Sequence, residues 1–211
     1  MPGPLSSPGA PARVVVLLSG GGSNLAALLA AAEEPAYGVQ VVGVGADRPG
    51  TGGAAMAQER DIPTFVEVVK DHASREAWDA ALTDQVAAHA PDLVVSAGFL
   101  KLVGATFLAR FEGRYLNTHN SLLPAFPGMR APADALVHGV KVAGATLFVV
   151  DAGVDAGPIV AQVAVPVLDD DDVETLTERI KVAERAQLVD AVGRLAREGW
   201  TVDGRHVRFG A

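Results

Sequence analysis

Arg13-Val14-Val15-Val16-Leu17-Leu18-Ser19-Gly20-Gly21-Gly22-Ser23-Asn24-Leu25 decides the fold. The continuous apolar run at 13–18, rich in β-branched residues, has the pattern of a strand buried on both faces of a parallel sheet. Glycines follow at once, and then Leu25-Ala26-Ala27-Leu28-Leu29-Ala30-Ala31-Ala32, dense in strong helix formers and stopped by Pro35 and Gly38. Strand, loop and helix therefore follow one another within 26 residues.

The same order recurs downstream. Residues 39–44 predict a strand, 54–60 a helix, 64–68 a strand, 74–89 an amphipathic helix with Ser74 as N-cap, and 92–97 a fourth strand. Alternation of this kind implies right-handed βαβ units in an open, mostly parallel twisted α/β sheet with helices on both faces, whose ligand crevice lies beyond the carboxyl ends of the strands. From Val142 the pattern changes. Residues 142–150 and 159–167 are two strand-like runs around the loop 151–157, which predicts an antiparallel C-terminal portion. Residues 173–198 form a long helix with Leu176, Ile180, Ala183, Leu188, Val192 and Leu195 on one face, and 201–209 is a short strand or a loose tail.

Composition narrows the function. The chain has 211 residues, 49% of them hydrophobic, enough for one domain with a large core. Residues 1–12, rich in Pro, Gly and Ser and lacking an apolar h-region, are expected to be a disordered tail, and 13–211 a single domain. With no cysteine, disulfides, thiolate nucleophiles and cysteine-zinc sites are excluded, and a cytoplasmic location is expected. A net charge of −8 argues against broad contact with nucleic acid, and no apolar run has the length of a membrane span. His72, His89, His138 and His206 lack partners at ligand spacing, and the run 169–172 of aspartates reads as a solvated helix N-terminus, so no metal is expected.

The glycine loop sets flexible backbone N–H groups at a helix N-terminus, a site for phosphate or carboxylate, with Gly22, Ser23 and Asn24 closest to the helix. It is not a Walker A loop, since no Gly-Lys-Ser/Thr follows, and it meets G-x-G-x-x-G only at Gly20 and Gly22. Asp47, after the second strand, keeps a dinucleotide reading open, and a plain tight turn capped by Asn24 is the third reading. Further on, Asn117-Thr118-His119 ends a strand ahead of a proline-rich loop. Asn117 and His119 are two apart and share one side of an extended chain. An imidazole, with an ordinary pKa of about 6.5, takes and returns a proton near neutrality, and a carboxamide donates to a developing oxyanion, which together suit acyl transfer. An acid is expected to orient the imidazole; Asp155 in the glycine-rich loop is the best candidate and Asp151 its rival.

Asn117-Thr118-His119 with Ser121-Leu122-Leu123-Pro124, and Asp155-Ala156-Gly157-Pro158 downstream, resembles the folate-dependent formyltransferases, with residues 19–25, 74–76 and 97–101 most similar to the glycinamide ribonucleotide transformylases among them. The resemblance implies Asn117, His119 and Asp155 as catalytic residues. Gly22, Ser23, Asn24, Arg75 and Glu184 are implied on the phosphorylated substrate, and Leu100, Lys101, Leu102 and Val103 along the folate. It implies 10-formyltetrahydrofolate as co-substrate, glycinamide ribonucleotide as acceptor, no metal, and a monomer or homodimer. It also implies a phosphate- and substrate-binding half at 13–110 and a catalytic and folate-binding half at 111–211. The extra domains of methionyl-tRNA formyltransferases and formyltetrahydrofolate hydrolases are not expected at this length. The chain departs from the usual pattern at Asn120, where proline is common, and at Arg130 and Phe148, near or at positions where histidine is common, which leaves open a paralogue acting on another phosphorylated amine. A non-catalytic folate-binding or dinucleotide-binding protein is the remaining alternative.

Overall fold

The computed structural model describes residues 5–7 and 10–210. Among these, nine strands form one sheet: β1 (Ala12–Leu18), β2 (Val39–Ala46), β3 (Thr64–Val66), β4 (Leu93–Ser96), β5 (Tyr115–His119), β6 (Val142–Val149), β7 (Ile159–Pro166), β8 (Trp200–Asp203) and β9 (His206–Phe209). The α-helices are α1 (Ser23–Ala32), α2 (Gly52–Gln58), α3 (Arg75–Ala88), α4 (Ala105–Arg110), α5 (Ala131–Val137) and α6 (Val173–Glu198). The strand order is β3-β2-β1-β4-β5-β6-β7-β9-β8. The first five strands are parallel, and β6 turns back antiparallel on β5 and β7 on β6. The expected mostly parallel sheet with an antiparallel C-terminal portion is present. The short helices α4 and α5 carry no sequence pattern long enough to mark them, and residues 201–209 pair as a β8–β9 hairpin instead of trailing loose.

β1 is buried on both faces. Val14, Val16 and Leu18 pack with Leu25, Leu28 and Leu29 of α1 and Leu188, Val192 and Leu195 of α6. Val15 and Leu17 face the other way, against Trp78, Leu82 and Val86 of α3 and Phe107 of α4. Period-2 alternation within an all-apolar run thus supplies both cores. The chain steps from β1 outward to β2 and β3 and then returns to place β4 on the other side of β1. That reversal leaves a crevice at the carboxyl ends of β1 and β4, where the connecting helices diverge to opposite faces.

Two helix starts follow local rules. Ser74 caps α3 by accepting from the Ala77 N–H, and Asp172 with Thr175 forms a capping box at α6, while neighbouring Asp171 pairs with Arg179. The acidic run is thus consumed by helix capping and ion pairing. Of the expected N-terminal tail, residues 1–4, 8 and 9 lie outside the described residues. The rest is docked: Leu5 and Ser6 donate backbone N–H groups to the Ala196 carbonyl of α6 at 2.9 Å, and Ala12 opens β1. Among the described residues no helix is long and apolar enough to cross a membrane.

Leu17→Ala removes a fully buried side chain from the inner strand, and a loss of about 2–5 kcal/mol is expected, read as a lower denaturant midpoint at unchanged slope.

Candidate active site

The glycine loop leaves β1 at Ser19. The Ser19 N–H donates to the Gly98 carbonyl at 3.0 Å, and its hydroxyl accepts from the Leu100 N–H at 2.9 Å, so the loop after β1 is tied to the loop after β4. Gly22 ends the loop in the left-handed region, at φ 79°, and a Cβ there would lie 2.6 Å from the Gly53 Cα, so only glycine fits. Gly20, Gly21 and Ser23 are exposed, and the free N–H groups of the first turn of α1 open toward them. Asn24 is not the cap. Its buried carboxamide donates to Glu184 Oε1 of α6 at 2.6 Å, joining residues 160 apart, and leaves its backbone N–H for an anion. The two halves of the chain interlock here.

Asp47 closes the other side of the loop. Burial by itself would push its carboxyl up; hydrogen bonds from Arg48, Lys101 and Ser19 outweigh that and hold it at about 2. Lys101 Nζ lies 2.9 Å from Asp47 Oδ2, and Arg48 binds both carboxylate oxygens at 2.9 Å. The carboxylate considered for a dinucleotide ribose is therefore already paired within the protein, and the Lys101 side chain is engaged there. Leu100 and Leu102 do present apolar side chains, 54% and 65% exposed, suited to cover a flat ring. Arg75 engages this same segment: its guanidinium lies 4.5 Å from the Trp78 ring centroid and donates to the Leu102 carbonyl. Val103 completes the segment, half-buried against the core that holds Trp78 and Phe99.

β5 carries Asn117 and His119 to its carboxyl end. His119 is 9% exposed; Nε2 donates to the Phe126 carbonyl at 3.0 Å and Nδ1 lies 3.7 Å from Asp155 Oδ2. Both nitrogens face acceptors, which orients the ring. Asp155 Oδ2 also accepts from the Gly128 N–H at 2.8 Å. Asp155, not Asp151, reaches the histidine; Asp151 instead accepts from Gly153 within its own turn. Asn117 is half-buried, and among the described residues its carboxamide makes no intramolecular hydrogen bond, leaving its donors for a ligand. Behind His119 the loop is braced by Thr146, whose hydroxyl donates to the Ser121 carbonyl at 2.7 Å and accepts from the Leu123 N–H at 3.0 Å. Phe148 is buried directly opposite Asn117 across the β5–β6 ladder, while Arg130 is exposed and pairs with Asp134.

Sequence reasoning misses the Phe126 carbonyl and Gly128 N–H, because main-chain groups carry no residue signal. It also misses the exposed Met129 and Val154 on the loops that flank His119. Of the other histidines, His72 bonds Glu67 at 2.8 Å, and His89 and His138 pack on Phe65 and Phe126. Among the described residues no cluster of three or more His, Asp or Glu could hold a metal ion.

A Rossmann-like sheet whose crevice joins a glycine loop to an Asn-His-Asp set fits an acyl-transfer enzyme, and the chain belongs to the formyl transferase family, whose model matches residues 12–192. It is 58% identical over 203 residues to the phosphoribosylglycinamide formyltransferase of Mycobacterium tuberculosis, covering 96% of this chain and 94% of that protein. It is 46% identical over 174 residues to the trifunctional purine biosynthetic protein adenosine-3 of Drosophila melanogaster, covering 82% of this chain and 13% of that protein. The crystal structure of glycinamide ribonucleotide transformylase 1 from Symbiobacterium toebii superposes with a TM-score of 0.92 at 42% identity, covering 96% of both chains.

Because the Asp47 carboxyl is depressed from about 3.9 in an unfolded chain to about 2, its contribution is full above pH 4 and is lost as pH falls toward 2. Denaturant titrations of wild type and Asp47→Asn should differ by about 2 kcal/mol at pH 6, and the two curves should converge on acidification.

Proposed function

We propose that this protein transfers the formyl group of 10-formyltetrahydrofolate to the amine of glycinamide ribonucleotide, a step of purine biosynthesis. The observation that carries this is Asn117 and His119 on one side of β5 with Asp155 3.7 Å from the imidazole, in a chain that matches a phosphoribosylglycinamide formyltransferase along nearly its whole length. The co-substrate supplies an activated formyl group carried on nitrogen, and its ring system suits the apolar rim of Leu100 and Leu102.

The substrate phosphate binds at Gly22, Ser23 and Asn24, where backbone N–H groups and the α1 dipole favour an anion. Glu184, held by Asn24, accepts from the ribose hydroxyls. As the amine nitrogen bonds to the formyl carbon, Asn117 donates to the oxygen on which negative charge develops. His119 takes the proton lost by the attacking amine and returns it to the departing folate nitrogen, giving the formylated amine and tetrahydrofolate. Asp155 holds the imidazolium. Its Oδ2 lies 3.7 Å from Nδ1. Phe148, flat and apolar opposite Asn117, favours a second reading in which a different phosphorylated amine is the acceptor.

The test is a spectrophotometric assay of folate deformylation with glycinamide ribonucleotide, without amine, and with other phosphorylated amines. Amine-dependent turnover is expected, falling about 10²- to 10⁴-fold in His119→Ala and about 10²- to 10³-fold in Asn117→Ala, with circular dichroism unchanged. Turnover with a different amine alone would move the acceptor assignment, and wild-type rates in either variant would remove that residue from the chemistry.

A further inference from the structure

Segment 100–103 stands between the sheet and the six-residue helix α4, which is too short to hold itself by local hydrogen bonds. Its N-cap, Gly104, has no side chain with which to bind the free N–H groups of the first turn. Asp79 supplies the missing acceptor from another helix. It lies in the second turn of α3 and is 3% exposed. Oδ1 accepts from the Gly104 N–H at 2.5 Å, and Oδ2 accepts from Thr106 and Phe107 at 3.0 and 3.1 Å. The fit needs glycine: a Cβ at position 104 would stand 2.7 Å from the Asp79 carboxylate.

A polar side chain at 104 would cap α4 without burying a charge on a different helix. Placing the carboxylate on α3 does something a local cap does not: it fixes where α4, and the segment before it, stands against α3. Arg75, four residues earlier on α3 and on the same face, grips that segment at the Leu102 carbonyl. Ser19 holds it at the Leu100 N–H. The segment is therefore suspended between the glycine loop and α3, and Asp79 is the anchor at its far end.

We propose that Asp79 is a positioning residue that sets the folate-facing conformation of residues 100–103 without touching either substrate. This rests on the reading that those residues line the folate. Steady-state kinetics, with donor and amine varied separately, are measured for wild type, Asp79→Asn, Gly104→Ala and Leu102→Asp. Asp79→Asn should raise the KM for the folate donor about tenfold to a hundredfold, with the amine KM and kcat within about threefold of wild type. Gly104→Ala, which pushes the same contact apart while leaving the carboxylate in place, should show the same split and decides the matter if Asp79→Asn fails to fold. Leu102→Asp, on an exposed side chain, reports on the underlying reading. If it raises the donor KM while Asp79→Asn and Gly104→Ala leave that KM unchanged, or raise both KM values alike, Asp79 is an ordinary helix cap. If Leu102→Asp leaves the donor KM unchanged, the folate does not lie on this segment, and the positioning role falls with it.

Discussion

The burial of β1 on both faces is the constraint from which the rest of the molecule follows. Val14, Val16 and Leu18 must be covered by one helical layer and Val15 and Leu17 by another, so helices have to leave the sheet on both sides. Only an inner strand of a mostly parallel sheet satisfies this, and the reversal of strand order beside it opens the crevice between β1 and β4. The glycine loop and the 100–103 segment are the continuations of those two strands. Their adjacency, fixed by Ser19, is a consequence of the core and precedes any chemistry.

Around the crevice, each buried carboxylate has a polar partner. Asp47 is held by Arg48, Lys101 and Ser19, Glu184 by Asn24, and Asp79 by three backbone N–H groups. Each carboxylate ties together segments distant in the chain, so the same interactions that remove the cost of burial also fix the relative placement of the loops. Backbone strain gathers around His119. Of the four non-glycine residues with positive φ among the described residues, Phe126 and Asp155, at 52° and 50°, are the two that contact His119. Such conformations cost about 1–3 kcal/mol each and persist where surrounding contacts over-determine them. Here the Gly128–Asp155 hydrogen bond and the His119–Phe126 hydrogen bond do so.

Much of this was legible in the chain. The run 14–18 announces an inner strand because every position is apolar, the glycines after it announce a tight loop before a helix, and the two-residue spacing of Asn117 and His119 puts them on one side of a strand. Helix α6 was readable to the residue, its apolar stripe marking the buried face. Helices α4 and α5 were not, since six or seven residues provide barely two turns of periodicity. Lys101, expected to line the folate, is drawn to Asp47, and Asn24, readable as a cap, is drawn to Glu184. In both cases a long-range partner outcompetes the local one.

The sequence by itself determined the mostly parallel sheet, the alternation of its first four strands with helices, the glycine loop and the identity of the chemical groups, because period, composition and turn residues act within a few positions of one another. Only the tertiary structure brought Asp155 and not Asp151 within reach of the histidine, engaged the Asp47 carboxylate with Arg48 and Lys101, and recruited the Phe126 carbonyl to the histidine and the Gly128 N–H to Asp155. The physical reason is that these choices depend on distances between segments brought together by hydrophobic burial, and on main-chain groups that every residue shares, neither of which is written in local sequence.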